Sequence, residues 1–285
     1  MDALCIDFYE QVLAHVFNAF DQHRYAELSG LFGDCSQVFA EKGHYKELEV
    51  LNGNLDWPKY YDCFNQEKDV EENDFLATFR LGTELIYNVS TINAVPQINE
   101  YVKTYLNTFA MEPGLFSLNI VRNVLSDNWI NLFSSWKAIK SVTIQDHFNG
   151  YIDRLLRLLV DEEQLVQLSI EKYNFPHDLL CEFWIQKQFR TLSFSRYEEH
   201  IVNGLVEAYY ETEDHLLAKS IIFDYEVKLH DDTFVNFGLV DEKTVRFQQD
   251  NMVVDYHNFE GNPSMTLNIF MLGVTRTKVT FLERY

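Results

Sequence analysis

A short pattern of apolar and polar residues recurs through the second half of the chain. Alternation of the form apolar-x-x-apolar-x-apolar is typical of a strand. The five complete copies are Leu115-Leu118-Ile120, Ile139-Val142-Ile144, Leu165-Leu168-Ile170, Phe189-Leu192-Phe194 and Ala218-Ile221-Phe223. A sixth, weaker copy at Val245 and Phe247 has Glu242 in place of the first apolar residue. The middle residues lie 24 to 29 positions apart, an interval typical of leucine-rich repeats.

Apolar stripes with helical spacing separate these copies, so each unit is predicted to be strand, loop, helix, loop. The stripes are Trp129/Leu132/Phe133/Trp136, Ile152/Leu155/Leu156/Leu159, Leu179/Leu180/Phe183/Trp184 and Ile201/Leu205/Ala208. Polar residues such as Ser117 and Ser141 occupy alternate strand positions, which favours one solvated sheet face. The prediction is an α/β body of leucine-rich-repeat-like strand–helix units, forming a curved parallel sheet with helices on one face.

The N-terminal region has a different pattern. Apolar residues with the spacing of one helical face run from Tyr9 to Phe20, and two further short helices are predicted at 25–31 and 35–42, separated by Gly33. We therefore predict a short all-helical segment at residues 1–45, followed by the α/β body at 46–285.

Further elements are predicted within this body. The dipeptide Asn52-Gly53 is typical of a hairpin turn. Residues 85–91 are predicted to form a strand, and the stripe from Ile98 to Phe109 an amphipathic helix. The alternating pairs at 267/269 and 279/281 indicate a C-terminal capping hairpin.

Composition excludes several classes of partner. The chain has 285 residues, 23 Lys and Arg against 44 Asp and Glu, and a formal net charge of −21. This field repels phosphate backbones and anionic lipids, so nucleic acid and membrane are not expected as partners. The four cysteines lack metal-site or disulfide spacing. Neither a signal peptide nor a membrane-spanning apolar run is apparent, and we expect a cytoplasmic or nuclear protein.

The sequence contains no nucleotide-binding, nucleophile-elbow, zinc-protease or kinase motif. No catalytic, cofactor or metal site is therefore predicted. Polar residues on the solvated sheet face, and tyrosines that follow the strands, are instead predicted to bind a protein partner. These residues are Asn119, Thr143, Gln145, Ser169, Glu171, Tyr173, Ser193, Ser195 and Tyr197.

The organisation of the whole chain resembles a known family. A Met-Asp opening with Phe8, three short predicted helices, the segment Glu27–Gly33, a hairpin and irregular leucine-rich-like units are similar to the nematode group of divergent F-box and F-box-associated proteins. The resemblance implies an N-terminal element that docks a Skp-type adaptor and a repeat body that recruits a substrate. By position, it places Phe8, Val12, Leu13 and Phe17 in the adaptor-docking helix.

We therefore expect a protein-binding substrate-recognition subunit of a cullin-type ubiquitin ligase, which is not an enzyme and needs no cofactor. Two alternatives stay open. The chain could be a repeat-protein scaffold without adaptor docking, in which case deleting residues 1–45 would abolish no adaptor binding. It could also be an enzyme of an unrecognised class, with carboxylates such as Asp146 and Glu171 at the ends of adjacent strands.

Overall fold

The computed structural model describes residues 30–62, 66–68, 80–90, 97–112, 114–122, 124–172, 175–195, 199–211, 219–223, 227, 235–241, 244–249, 252–257 and 276–282. These ranges contain six helices and 14 strands, so the protein is mixed α/β. The chain divides into two compact units: unit 1 is Met1–Ser141 and unit 2 is Val142–Tyr285. The predicted helix at 9–20 and residues 25–29 of the predicted helix at 25–31 lie outside the described residues, and the boundary at 45 remains a prediction.

Unit 1 combines a parallel core with an antiparallel edge. Its elements are α1 (Leu31–Lys42), β1 (His44–Leu51), β2 (Asn54–Leu55), β3 (Lys59–Asp62), β4 (Glu67–Lys68), β5 (Arg80–Asn88), α2 (Glu100–Ala110), β6 (Leu115–Ile120) and α3 (Asp127–Ser134). Strands β1, β5 and β6 are parallel neighbours in the order β6-β5-β1. Strands β2 and β3 pair antiparallel with β1, and β4 with β3.

The predicted hairpin turn is confirmed, because Asn52 and Gly53 join β1 to β2 with φ values of 52° and 83°. Glycine and asparagine are the residues that adopt this left-handed conformation most readily. The predicted break at Gly33 is wrong: Gly33 is buried inside α1, and the Asp34 N–H bonds to the Gly30 carbonyl at 3.0 Å. A single glycine lowers helix propensity by only about 1 kcal/mol, which packing can outweigh.

Helix α2 confirms the prediction for the stripe after residue 97. Its N-cap is Asn99, whose side chain accepts a hydrogen bond from the Val102 N–H at 2.8 Å. Strand β5 begins at Arg80, five residues before the predicted start at 85. This part of the strand was not predicted because Arg80 and Thr83 are polar and interrupt the apolar pattern, although both are buried.

Helices α2 and α3 pack on the same face of the unit 1 sheet. The rings of Phe109 in α2 and Phe116 in β6 have centroids 6.1 Å apart. Trp129 in α3 lies 4.9 Å from Tyr87 in β5. Because side chains alternate along a strand, the residues next to Phe116 and Tyr87 project from the opposite face.

Unit 2 joins parallel strand–helix units to an antiparallel ribbon. Its elements are α4 (Gly150–Asp161), β8 (Gln167–Ile170), α5 (His177–Trp184), β9 (Thr191–Phe194), α6 (Glu199–Glu211), β10 (Lys219–Phe223), β11 (Val235–Asp241), β12 (Thr244–Gln249), β13 (Met252–His257) and β14 (Arg276–Phe281); β7 (Ile139–Ile144) crosses the division between the units. The order is β8-β9-β10-β14-β13-β12-β11. Strands β8, β9 and β10 are parallel, as predicted.

The sixth copy of the pattern is not a strand–helix unit. Val245 and Phe247 lie in β12, which pairs antiparallel with β11 and β13. Alternation identifies a strand but does not give the direction of its neighbours. Val279 and Phe281 lie in β14, which pairs antiparallel with β10 and β13. Leu267 and Ile269 lie outside the described residues, so the capping hairpin remains a prediction.

Helices α5 and α6 pack on one face of the unit 2 sheet. The Trp184 ring of α5 lies 5.7 Å from the ring of Phe281, and Tyr209 of α6 lies 5.0 Å from it. Small polar residues on β8 and β9 therefore project from the other face, where Ser169 is in register with Ser193. In the part of the chain described above, no helix combines the length and apolarity needed to cross a membrane.

Gly204 lies where α6 packs against His177 of α5. A Cβ atom at position 204 would lie 1.8 Å from His177 Nε2, so Gly204→Ala forces the imidazole out of its site. We expect the variant to lose about 1 kcal/mol of unfolding free energy, the lower end of the cost of overpacking, because His177 is half-buried and can turn aside. Urea denaturation measures this loss.

The matched controls for Gly204→Ala separate the clash from other effects of alanine. Asn203→Ala, at an exposed position of the same helix, should change stability by less than about 0.5 kcal/mol. His177→Ala in the Gly204→Ala background should recover most of the loss. If the double variant is as unstable as the sum of the two single variants, the clash is not the cause.

Candidate functional site

The sheet of unit 1 has a face opposite α2 and α3 that carries several carboxylates. The parallel register aligns Glu47 of β1 with Glu84 of β5, and Glu49 with Ile86. In-register positions on neighbouring strands are about 4.8 Å apart. We call this surface the acidic face of unit 1. It comprises Tyr45, Glu47, Glu49 and Leu51 of β1, Glu84, Ile86 and Asn88 of β5, and Ser117 and Asn119 of β6.

The three glutamates of the acidic face are held in place by neutral donors. Tyr61 Oη donates to Glu47 Oε1 at 3.4 Å, Asn88 Nδ2 to Glu49 Oε1 at 2.9 Å, and Asn119 Nδ2 to Glu84 Oε1 at 3.1 Å. All three glutamates are half-buried. An ionised carboxylate offers about four acceptor positions, so each can still accept hydrogen bonds from a partner.

The carboxylates of the acidic face repel one another. Burial raises the pKa of Glu47, and the adjacent Glu84 raises it further, against the opposing effects of Lys59 and the Tyr61 hydroxyl. Lys59 Nζ lies 4.0 Å from Glu47 Oε1, the limit of an ion pair. Burial also raises the pKa of Tyr61, followed by the effect of Glu47. Like charges directly opposite in a sheet are destabilising, so this face favours an added cation.

The structure places the predicted partner-binding residues in both units. In unit 1, Asn119 lies on the acidic face and orients Glu84. In unit 2, Thr143 and Gln145 are half-buried at β7, and Ser169 accepts a hydrogen bond from Gln167 Nε2 at 3.4 Å. These side chains are half-buried instead of fully solvated, because neighbouring strands flank each position.

The remaining predicted residues of unit 2 follow the strands. The Glu171 N–H bonds to the Ile144 carbonyl at 3.0 Å, and the Ser195 N–H bonds to the Ile170 carbonyl at 3.1 Å. The Ser195 hydroxyl contacts the Glu171 carbonyl. Ser193 is half-buried on β9. Tyr173 and Tyr197, like the predicted adaptor-docking residues Phe8, Val12, Leu13 and Phe17, lie outside the described residues.

Residues with catalytic potential have local roles where the structure describes them. Asp146 Oδ1 accepts the His147 N–H at 2.8 Å, while Glu171 is exposed. Cys181 Sγ lies 3.5 Å from His177 Nε2 on the same helix, but burial and the nearby Asp178 raise the pKa of the thiol, which disfavours the thiolate. Among the described residues, no group of three His, Cys, Asp or Glu side chains could hold a metal ion.

The acidic face of unit 1 was not predicted from the sequence. The local signal is present in β1, where Glu47 and Glu49 alternate with Leu48 and Val50, the pattern of a strand with one charged face. The register of β1 with β5, which brings Glu84 beside Glu47, is not apparent from the sequence. The cluster therefore depends on pairing between strands that are distant in the chain.

No protein-family model, curated protein or solved structure matches the chain. The resemblance to F-box-associated proteins therefore rests only on residues and segment order in the sequence. The geometry of the sheet faces supplies the independent argument about function.

Proposed function

We propose that the protein is a non-enzymatic protein-binding subunit that presents its sheet faces to a partner. The observation that carries the proposal is the acidic face of unit 1, where half-buried glutamates are oriented by hydrogen bonds but retain acceptor capacity. The described residues of this face can supply polar recognition of a partner through these acceptors. The in-register Ser169 and Ser193 of unit 2 offer a second polar surface.

The proposal extends to the architecture of the body. Parallel strands β8, β9 and β10 alternate with α5 and α6, an order that supports a leucine-rich-repeat-like, curved parallel sheet. In such repeats one sheet face is left available for partners. A cytoplasmic or nuclear location accords with this role.

The biological role we propose is that of a substrate-recognition subunit of a cullin-type ubiquitin ligase. Its support is the sequence resemblance, which implies that Phe8, Val12, Leu13 and Phe17 dock a Skp-type adaptor. The sheet faces would then recruit the substrate. Without adaptor docking, the same faces would make the protein an interaction scaffold.

Adaptor docking is tested with purified full-length protein and an immobilised Skp-type adaptor. The wild type should bind, and a Phe8→Ala, Leu13→Ala, Phe17→Ala variant should lose binding because apolar anchors dominate such interfaces. The matched control, Tyr101→Ala, Met111→Ala, Ile185→Ala, removes three exposed apolar side chains and should bind like the wild type. Failure of the wild type to bind would leave only the scaffold role.

A further inference from the structure

The acidic face of unit 1 is a sheet surface with both charge and apolar area. Leu51 on this face is 39% exposed, and Ile86 lies in register between Glu49 and Asn119. At its margin, the Asp56 N–H bonds to the Glu49 carbonyl, and the next residue, Trp57, is 85% exposed. Exposed tryptophan beside polar groups is typical of protein interfaces.

The charges on this face are not balanced from within the described part of the unit. Glu47 is in register with Glu84, and Glu49 lies two residues further along β1. Among the described residues, Lys59 approaches Glu47 to 4.0 Å. Burial and mutual repulsion both disfavour the ionised state of Glu47. A cationic side chain from a partner would relieve this repulsion and donate hydrogen bonds to the remaining acceptor positions of the carboxylates.

From this geometry we infer that the acidic face of unit 1 docks an extended segment of a protein partner that has lysine or arginine at alternate positions. Glu47 and Glu49 are two residues apart on β1, so their side chains repeat about every 6.6 Å along the strand. Alternate side chains of an extended segment repeat at the same interval. Two basic residues can therefore meet Glu47/Glu84 and Glu49 together, while an apolar residue contacts Leu51 or Trp57.

This inference rests on the proposed protein-binding function and names the chemistry of the partner segment. The probe is a fluorescent peptide that has lysine, lysine and valine at successive alternate positions with serine between them, and its binding to full-length protein is read by fluorescence anisotropy. A peptide of the same composition with its two lysines at consecutive positions is the second probe. The alternating peptide should bind more tightly, since it alone places lysines at the spacing of the glutamates.

The decisive variant is Glu47→Gln, Glu49→Gln, Glu84→Gln, which keeps hydrogen-bond acceptors and removes the charges. It should weaken binding of the alternating peptide about tenfold or more, since charge-assisted hydrogen bonds are roughly twice as strong as neutral ones. The control is Glu100→Gln, Glu163→Gln, Glu207→Gln, at exposed positions that are not part of this face. Both variants remove three charges from the formal charge of −21, so general attraction falls equally.

Equal loss of affinity in the two triple variants would overturn the inference, because binding would then depend only on net charge. No loss in either variant would overturn it as well. The glutamine variant should unfold at the same or higher urea concentration than the wild type, since it removes like-charge repulsion. If the glutamine variant binds the peptide as tightly as the wild type, but protein partners still cross-link to position 193 of unit 2, the inference fails while the proposed function stands.

Discussion

Replacing Glu112 by glutamine is expected to lower the unfolding free energy of unit 1 by about 3 kcal/mol, among the largest effects of any single charge change in this unit. Lys46 Nζ lies 2.9 Å and 3.1 Å from the two oxygens of Glu112, and Arg80 forms an ion pair with the same carboxylate. The side chains of Lys46 and Arg80 are only 2% and 5% exposed. Removing the shared anion leaves buried positive charge with less compensation.

A neighbouring histidine, His44, adds no positive charge to this cluster near neutral pH. Burial lowers the pKa of His44 to about 4, with smaller contributions from Arg80 and Lys46. At pH 7 His44 is therefore neutral, and Lys46 and Arg80 supply the positive charge of the cluster. Folded His44 takes up its proton only near pH 4. The loss of unfolding free energy in Glu112→Gln should therefore be constant between pH 6 and 8.

The matched control is Glu100→Gln, since Glu100 is 88% exposed and lies 3.9 Å from Lys103 in a surface ion pair. Such pairs contribute about 0–1 kcal/mol. Urea denaturation and hydrogen exchange of the β1 and β5 amides measure both variants. Equal stability of Glu112→Gln and Glu100→Gln would show that the buried ion pairs do not stabilise unit 1.

The second large effect concerns Lys219, which is fully buried in unit 2. Its ammonium donates to the carbonyls of Gln186 and Phe189 at 2.7 Å each and lies 5.7 Å from the Trp184 ring. Burial, followed by the charge of Arg190, lowers its pKa from 10.5 to about 7. Between these values the unfolded chain binds a proton that the folded protein does not, so stability rises with pH.

We therefore expect wild-type stability, measured relative to Lys219→Met, to rise from pH 7 to pH 10 by on the order of 4 kcal/mol. The destabilisation is fully present below pH 7 and is lost as pH approaches 10.5. Loss of the two hydrogen bonds in Lys219→Met lowers stability equally at every pH, so the slope is the readout. Lys103→Met, at a half-exposed site, should match the wild-type slope. A flat difference between wild type and Lys219→Met would mean that Lys219 stays protonated in the fold.

The periodicity of the chain was sufficient to predict most described elements. The copies at 115–120, 139–144 and 167–170 are strands β6, β7 and β8, and the intervening stripes are helices α3 and α4. These predictions succeed because an apolar residue at every second or every third to fourth position identifies the buried side of an element. The coarse α/β class is therefore encoded locally.

Strand partners and charge clusters could not be predicted from local patterns. The alternation of Val245 and Phe247 identified a strand, but its antiparallel neighbours β11 and β13 depend on the fold of the whole unit. Likewise, Lys219 occupies a core position although its polarity breaks the apolar pattern. Its burial could not be predicted, because the carbonyls that accept its hydrogen bonds come from residues 186 and 189. Of the predicted partner-binding residues, Asn119 lies on the acidic face, where it donates to Glu84. The glutamate cluster itself could not be predicted, because it depends on the register between β1 and β5.

Site-specific photo-cross-linking in cells tests whether the sheet faces opposite the helices bind a protein partner. A photoreactive residue replaces Ser117 in unit 1 or Ser193 in unit 2, and, as controls, the exposed helix residues Thr104 and Asn203 of the same units. We predict discrete cross-linked protein adducts from Ser117 and Ser193 and none from the helix positions. Adducts from Thr104 and Asn203 alone, or from none of the four positions, would contradict the account.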